Sequence, residues 1–188
     1  MIVIDIDGVI ADSDRWLIKE IEERSGKRVV HKKPREFTYG IDIPSPDLNF
    51  WIDYALIKYK DEIKPFDYNR TFIGLTMLEK AEGTVNFLSA RSCGTVEKAT
   101  RYWIDKYFEG LEYNLHLIGS EKPKIKWMHE NRFDTIIEDR LKTANEIFFA
   151  TGGYTFLVNQ EWNERRHTEE HVTRVDSFYD AVEIYLKL

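Results

Sequence analysis

Cysteine is almost missing from this chain: Cys93 is the single thiol among 188 residues. One thiol excludes an internal disulfide framework and suits a reducing compartment. Long apolar runs are missing too. No segment approaches the ~18 consecutive apolar residues that a membrane-spanning helix needs. The first strand begins at Met1, with nothing of signal-peptide character ahead of it. A cytoplasmic location without membrane attachment is therefore expected. Positive charge is in deficit, with 27 Lys and Arg against 33 Asp and Glu and a net charge of −6. Clustered cations draw a protein to a phosphate backbone, so no stable nucleic-acid partner is expected. A small phosphorylated substrate is compatible with this balance. What is present, 43% hydrophobic and 32% charged residues, describes an ordinary globular chain. At this length about 70% of the unfolded surface is buried, enough for one core and a small appendage.

The most informative segment comes first. An apolar run from Met1 to Ile6 carries Asp5-Ile6-Asp7-Gly8-Val9. Alternate side chains of a strand share a face, so Asp5 and Asp7 point the same way. Two carboxylates at the end of a buried strand repel each other and lose solvent. Such a pair persists mainly where a divalent cation or a reaction requires it. A calcium loop is excluded, because its sixth and twelfth positions, which need Gly and Glu, hold Ile10 and Trp16.

Further along, Asp12 or Ser13 caps a helix through about Ser25, with Leu17, Ile18 and Ile21 inward and Gly26 stopping it. Residues 27–46 are irregular and basic. Ser45-Pro46 then opens a second helix, with one apolar stripe of Leu48, Trp51, Ile52, Ala55 and Tyr59. A second row of Phe50, Tyr54 and Ile57 predicts that this helix is sandwiched or lines a cleft. From about residue 85 strands and helices alternate. Strands are expected over Val85–Ser89, Leu115–Ile118, Thr135–Glu138 and, as the last, Tyr154–Val158. Helices are expected over Thr95–Tyr107, Pro123–Asn131 and Lys142–Thr151, with a closing helix from Ser177. This pattern predicts an α/β fold, a three-layer Rossmann-like parallel sheet with a small helical cap inserted after the first strand. Residues 1–13 and 76–188 form the expected core and 14–75 the cap. The charge-dense run Glu161–His171 reads as solvated surface, and its His167 and His171, four apart, carry no zinc expectation.

Ligands of such sheets sit at the carboxyl ends of strands. That edge collects Asp5 and Asp7, then Ser89-Ala90-Arg91, then Lys122 and Lys124 at a helix start, then Glu138-Asp139-Arg140. In this order and placement the chain resembles the haloacid dehalogenase-like superfamily of phosphotransferases, over residues 1–8 and about 85–160. The resemblance implies a phosphomonoester hydrolase with a Mg2+ cofactor and an aspartyl-phosphate intermediate. It makes Asp5 the nucleophile and a metal ligand. Asp7 becomes the acid and base, lending its backbone carbonyl to the metal. Ser89 would bond a phosphoryl oxygen, Asp139 would complete the metal shell, and Glu138 would join or back it. The physical logic agrees: carboxylate and phosphate repel, so a divalent cation must bridge them. The lysine is Lys122 or Lys124. Trp127, Met128 and Asn131, at helical spacings from Lys124, favour the latter. Arg91 orients phosphate or pairs with an acid.

The cap region is rich in aromatics, among them Phe37, Tyr39, Trp51 and Tyr54. Trp51 and Tyr54 are candidate substrate contacts, since aromatic faces stack on nucleobases. Val158-Asn159-Gln160-Glu161-Trp162-Asn163 is similar to the aromatic-Asn ending of the 5'(3')-deoxyribonucleotidase-like branch, as Ile137-Glu138-Asp139-Arg140 is to its acidic-pair ending. That branch implies a nucleoside monophosphate substrate. The alternatives are a phosphosugar, another small phosphomonoester or a nucleic-acid phosphate end. The alternative of another class is a receiver-like signalling module or a catalytically silent phosphate-binding module. A receiver carries its acceptor aspartate on the third strand, and here the strand before Lys122 ends without one.

Overall fold

The structure, a computed structural model, describes residues 1–29, 44–119, 122–163 and 171–188, with the side chains of Ser45, Lys122 and Pro123 outside the described set. Phe37 and Tyr39 lie outside the described residues. The elements in chain order are β1 (Ile2–Ile4), β2 (Ala11–Asp12), α1 (Asp14–Ser25), α2 (Ser45–Lys58), β3 (Lys64–Pro65), α3 (Tyr68–Glu82), β4 (Val85–Ser89) and α4 (Thr95–Tyr107). They continue with β5 (Tyr113–Leu117), α5 (Lys122–Glu130), β6 (Thr135–Glu138), α6 (Leu141–Thr151), β7 (Thr155–Val158), β8 (Val172–Val175) and α7 (Phe178–Tyr185).

Six strands form one sheet in the order β5-β4-β1-β6-β7-β8, and each of its ladders is parallel. Strand alternation sorts the side chains into two apolar layers. Ile2, Ile4, Phe87, Ile137, Phe156 and Val158 join the main core with Leu75 and Leu78 of α3, Trp103 and Ile104 of α4, and Phe178 and Val182 of α7. Val3, Leu88 and Ile136 point the other way, onto Met128 of α5 and Ile147 of α6. The expected three layers are therefore present. The chain builds outward from β1 to β5 on one side and to β8 on the other. The carboxyl end of β1 thus lies at the switch point where such sheets bind ligands.

Three features differ from expectation. Strand β8 follows β7 and closes the sheet edge, so β7 is not the last strand. Its two buried valines, Val172 and Val175, are three residues apart with Arg174 between them, a spacing that does not read as a strand. Helix α3 runs unbroken through residues 75 and 76 and packs on α7. Gly74 allows that approach, since a Cβ there would stand 2.9 Å from Cε1 of Phe178. Finally, β2 and β3 pair antiparallel, Ala11 opposite Pro65 and Asp12 opposite Lys64. The chain leaves and rejoins the core side by side, and α1 and α2, which pack on each other, lie on the excursion between. Among the described residues no helix is long and apolar enough to cross a membrane.

Phe178 joins α7 to α3 with its side chain almost wholly buried. Phe178→Ala should destabilise the chain by about 3–5 kcal/mol, as large-to-small core changes do. Urea unfolding checks this, and a loss under about 1 kcal/mol would show that α7 is not held through this ring.

Candidate active site

The first acid is carried by the sheet itself. Asp5 follows β1 directly, and its N–H donates to the Ile137 carbonyl at 3.0 Å, so the ladder with β6 fixes its backbone. Three residues on, the chain turns at Gly8, where φ is +74°. A Cβ at Gly8 would overlap the Asp139 carboxylate and lie 2.9 Å from Cζ2 of Trp162. Only glycine satisfies both the left-handed backbone and that contact.

Lys124 sits beneath these residues with no exposed surface. Its Nζ is 2.7 Å from Oδ2 of Asp5 and 2.8 Å from Oε2 of Glu138. The other Glu138 oxygen accepts the N–H groups of Asp139 and Arg140, each at 3.1 Å. Glu138 is thereby held behind the site, whereas Asp5 and Asp139 face the cavity. The Lys122 side chain lies outside the described residues.

Asp7 is gripped from two sides. Arg91 donates through Nε to Oδ2 at 2.8 Å and through Nη2 to Oδ1 at 2.7 Å. Arg91 is itself braced by Nη1 donating to Thr100 Oγ1 at 2.9 Å. Ser13 Oγ donates to Asp7 Oδ1 at 2.6 Å. Burial alone pushes the Asp7 carboxyl up, but the Arg91 guanidinium and the Ser13 hydroxyl outweigh it and hold Asp7 below the usual carboxylate range. Arg91 thus pairs with an acid, one of its two expected roles. Ser13 stands at the N-terminus of α1, as its sequence position suggests, yet makes no side-chain cap bond. Its hydroxyl serves Asp7 instead. Ser89 is buried at the end of β4, its Oγ accepting the Arg91 N–H at 3.3 Å.

Asp5, Asp7, Ser13, Ser89, Arg91 and Asp139 line a cavity of about 240 Å³ whose far wall comes from the excursion: Asp14 and Leu17 of α1 and Asn49, Ile52, Asp53 and Leu56 of α2. Trp51 and Tyr54 do not line it. Trp51 packs against the main core, and Tyr54 is exposed with the Arg24 guanidinium 4.2 Å above its ring. The cause is helical phase. Residues 49, 52, 53 and 56 share one face of α2, and 51 and 54 are turned away from it.

The charge-dense run also needs correction, because its start is not solvated surface. Trp162 and Asn163 are buried. Trp162 Nε1 donates to Asp139 Oδ2 at 2.9 Å, and Asn163 Nδ2 donates to the carbonyl of Asp139 at 2.7 Å. Their signal in the sequence was the aromatic-Asn ending itself. Of the two histidines in the run, His167 lies outside the described residues and His171 stacks on Phe148. Cys93 is exposed.

Asp5, Glu138 and Asp139 bring carboxylate oxygens within 4.8 Å of one another, the arrangement among the described residues suited to a metal ion. Burial, with the charge of Asp5 beside it, pushes the Asp139 carboxyl up to about 7. Three buried carboxylates against one buried lysine leave an excess of negative charge that a divalent cation would neutralise. An all-oxygen donor set suits a hard ion such as Mg2+, with Asp5 and Asp139 presenting the oxygens.

The sequence matches no protein-family model and no curated protein. The fold does have solved counterparts. A haloacid dehalogenase-like family hydrolase from Xanthomonas campestris matches with a TM-score of 0.57 at 10% identity, over 99% of this chain and 94% of that one. CbbY from Rhodobacter sphaeroides, solved in complex with phosphate, matches with a TM-score of 0.56 at 12% identity, over 95% of this chain and 94% of that one. A mutant of CbbY has been solved with xylulose-(1,5)-bisphosphate. Protein tyrosine kinase A of Mycobacterium tuberculosis matches with a TM-score of 0.62 at 16% identity, over 100% of this chain and 97% of that one. At such identities the likeness shows a shared fold alone. The reaction has to be argued from the residues.

A cation held by Asp139 would bind its ionised form, so protons would compete with it below the raised pKa. Mg2+ affinity, measured by calorimetry on the whole chain, should rise by up to about tenfold per pH unit between pH 5.5 and 7 and level off above. A flat profile would remove Asp139 from the ligand set.

Proposed function

We propose that this chain is a magnesium-dependent phosphomonoester hydrolase that works through an aspartyl-phosphate on Asp5. The observation that carries the reading is the gathering of Asp5, Asp7, Ser89 and Asp139 at the carboxyl ends of β1, β4 and β6 around one cavity, with Lys124 of α5 paired to Asp5. Mg2+ between Asp5 and Asp139 would offset the repulsion between carboxylate and phosphate and so let the two meet. A carboxylate oxygen of Asp5 attacks phosphorus, and the bond from phosphorus to the leaving oxygen breaks as Asp7 hands that oxygen a proton. Asp7 then takes a proton from water as the water attacks phosphorus. The bond to Asp5 breaks, and inorganic phosphate leaves. Ser89 holds a phosphoryl oxygen, and Lys124 holds Asp5 in place. Arg91 and Ser13 favour the ionised Asp7 that the second step needs. An incoming dianionic phosphate favours the protonated form that the first step needs.

The excursion between β2 and β3 is assigned as the cap, with α3 left to the core that it packs against. The cap wall supports a small hydroxylated leaving group, such as a phosphosugar. Asn49 and Asp53 offer a hydrogen-bonding amide and a carboxylate between the apolar Ile52 and Leu56. The cavity, about 240 Å³, lies below the ~300 Å³ where pockets for larger ligands begin. That phosphate and a sugar bisphosphate occupy a protein of the same fold supports the same substrate class. A second reading, a nucleoside monophosphate, draws on one observation: Trp162 and Asn163 of the aromatic-Asn ending bond Asp139 directly. The exposed Cys93 suits a reducing, cytoplasmic setting.

Phosphate release with Mg2+ across sugar phosphates, nucleoside monophosphates and p-nitrophenyl phosphate tests the reading. Sugar phosphates should rank first, and preference for nucleotides would install the second reading. Asp5→Asn should lower kcat at least about 1,000-fold, as loss of a nucleophile does. Retention of more than a few per cent of wild-type turnover would remove Asp5 from that role. Asp53→Asn should raise KM for the preferred sugar phosphate about tenfold, the worth of a hydrogen bond to a charged group. It should leave p-nitrophenyl phosphate unaffected, and an equal change for both substrates would take Asp53 out of leaving-group recognition.

A further inference from the structure

The loop that follows β7 touches both acid-bearing loops of the site. Gln160 Nε2 donates to the Gly8 carbonyl at 2.6 Å. Asn163 Nδ2 bridges the carbonyls of Asp139, at 2.7 Å, and Val158, at 2.8 Å. Asn163 is fixed in turn, since its Oδ1 accepts the Gln160 N–H at 3.1 Å and Nη1 of Arg174 at 3.2 Å. Between these two anchors Trp162 sends its indole N–H to Oδ2 of Asp139 at 2.9 Å. Its ring lies against the face of Gly8 where a Cβ would intrude.

The chemistry of the donor matters here. A carboxylate that can rotate presents either oxygen to a cation, so one bonded oxygen fixes which is presented. Lysine or arginine in this place would also neutralise the carboxylate and weaken its hold on a divalent ion. An indole N–H is neutral. It orients Asp139 and leaves the full negative charge to the cation.

We infer that Trp162 is a positioning residue for the cation: it fixes Asp139 Oδ2 so that the other oxygen faces the ion, while Gln160 and Asn163 lock its loop to the Gly8 and Asp139 backbones. The inference rests on the proposed cation site between Asp5 and Asp139. The test is Mg2+ and Mn2+ binding by calorimetry on the whole wild-type chain and on Trp162→Phe, which keeps a ring but has no donor. Binding should weaken about 10–100-fold in the variant, the usual effect of losing an outer-shell partner. Its phosphatase rate should recover as Mg2+ is raised, with little change in KM for substrate at saturating Mg2+. Affinity within twofold of wild type overturns the inference, as does a rate loss that added Mg2+ does not restore. A wild-type chain that binds neither ion overturns the cation reading and this inference with it. Should Trp162→Phe fail to fold, the wild-type chain still decides. The Trp162 indole N–H resonance should shift on adding Mg2+, with the calorimetric midpoint, and an unmoved signal overturns the inference.

Discussion

The site rests on one buried ammonium group. Strands β1 and β6 are neighbours in register, Ile4 beside Ile137, so the residues just beyond them bring Asp5, Glu138 and Asp139 together whatever their charges. Lys124 enters this cluster from α5 at 2.7 Å from Asp5 and 2.8 Å from Glu138. At an effective dielectric of ~20 each contact is worth about 6 kcal/mol of attraction. Desolvating the ions removes several kcal/mol apiece, so the net stabilisation is small. The larger effect is geometric. Glu138 is fully engaged by Lys124 and two backbone N–H groups, which leaves the uncompensated charge on the side of Asp5 and Asp139 that faces the cavity.

The sequence made the acids legible because strands end where apolar runs end. Asp5, Asp7, Ser89 and Asp139 each follow such a run, and parallel strands deliver their carboxyl ends to one edge. Helical spacing from Trp127 and Met128 points at Lys124, and among the described side chains that lysine pairs with Asp5. The sequence signal at Trp51 and Tyr54 is weaker. Helix α2 is apolar on two sides, and apolarity does not say which side faces a cavity. The side that does so carries Asn49 and Asp53, residues that a hydrophobic pattern passes over. Ser13 was legible as a helix start and not as a partner of Asp7, since a hydroxyl serves either purpose and only the turn at Gly8 decides. Strand β8 was hidden by two valines three residues apart after a charged stretch. Trp162 and Asn163 sat at the start of that stretch, and its charge masked their burial.

The two walls of the cavity divide the work by chemistry. The sheet edge supplies fixed charges whose positions follow from backbone ladders and buried ion pairs. The wall from α1 and α2 supplies apolar surface with the Asn49 amide and the Asp14 and Asp53 carboxylates, carried on helices that join the core through short connections. Rigid electrostatics suits a phosphate, which has the same shape in every ester. A wall borne on a separate pair of helices suits the part of a substrate that varies.

The pairing of Ala11 with Pro65 has an evolutionary consequence. Where a chain departs and returns through adjacent residues, the loop between can lengthen, shorten or be exchanged with little change in closure entropy and no shift in the register of the main sheet. The β2–β3 ribbon is therefore a graft point. Everything between its strands can be replaced without moving the buried charge arrangement at the sheet edge, whose register is set by the main sheet.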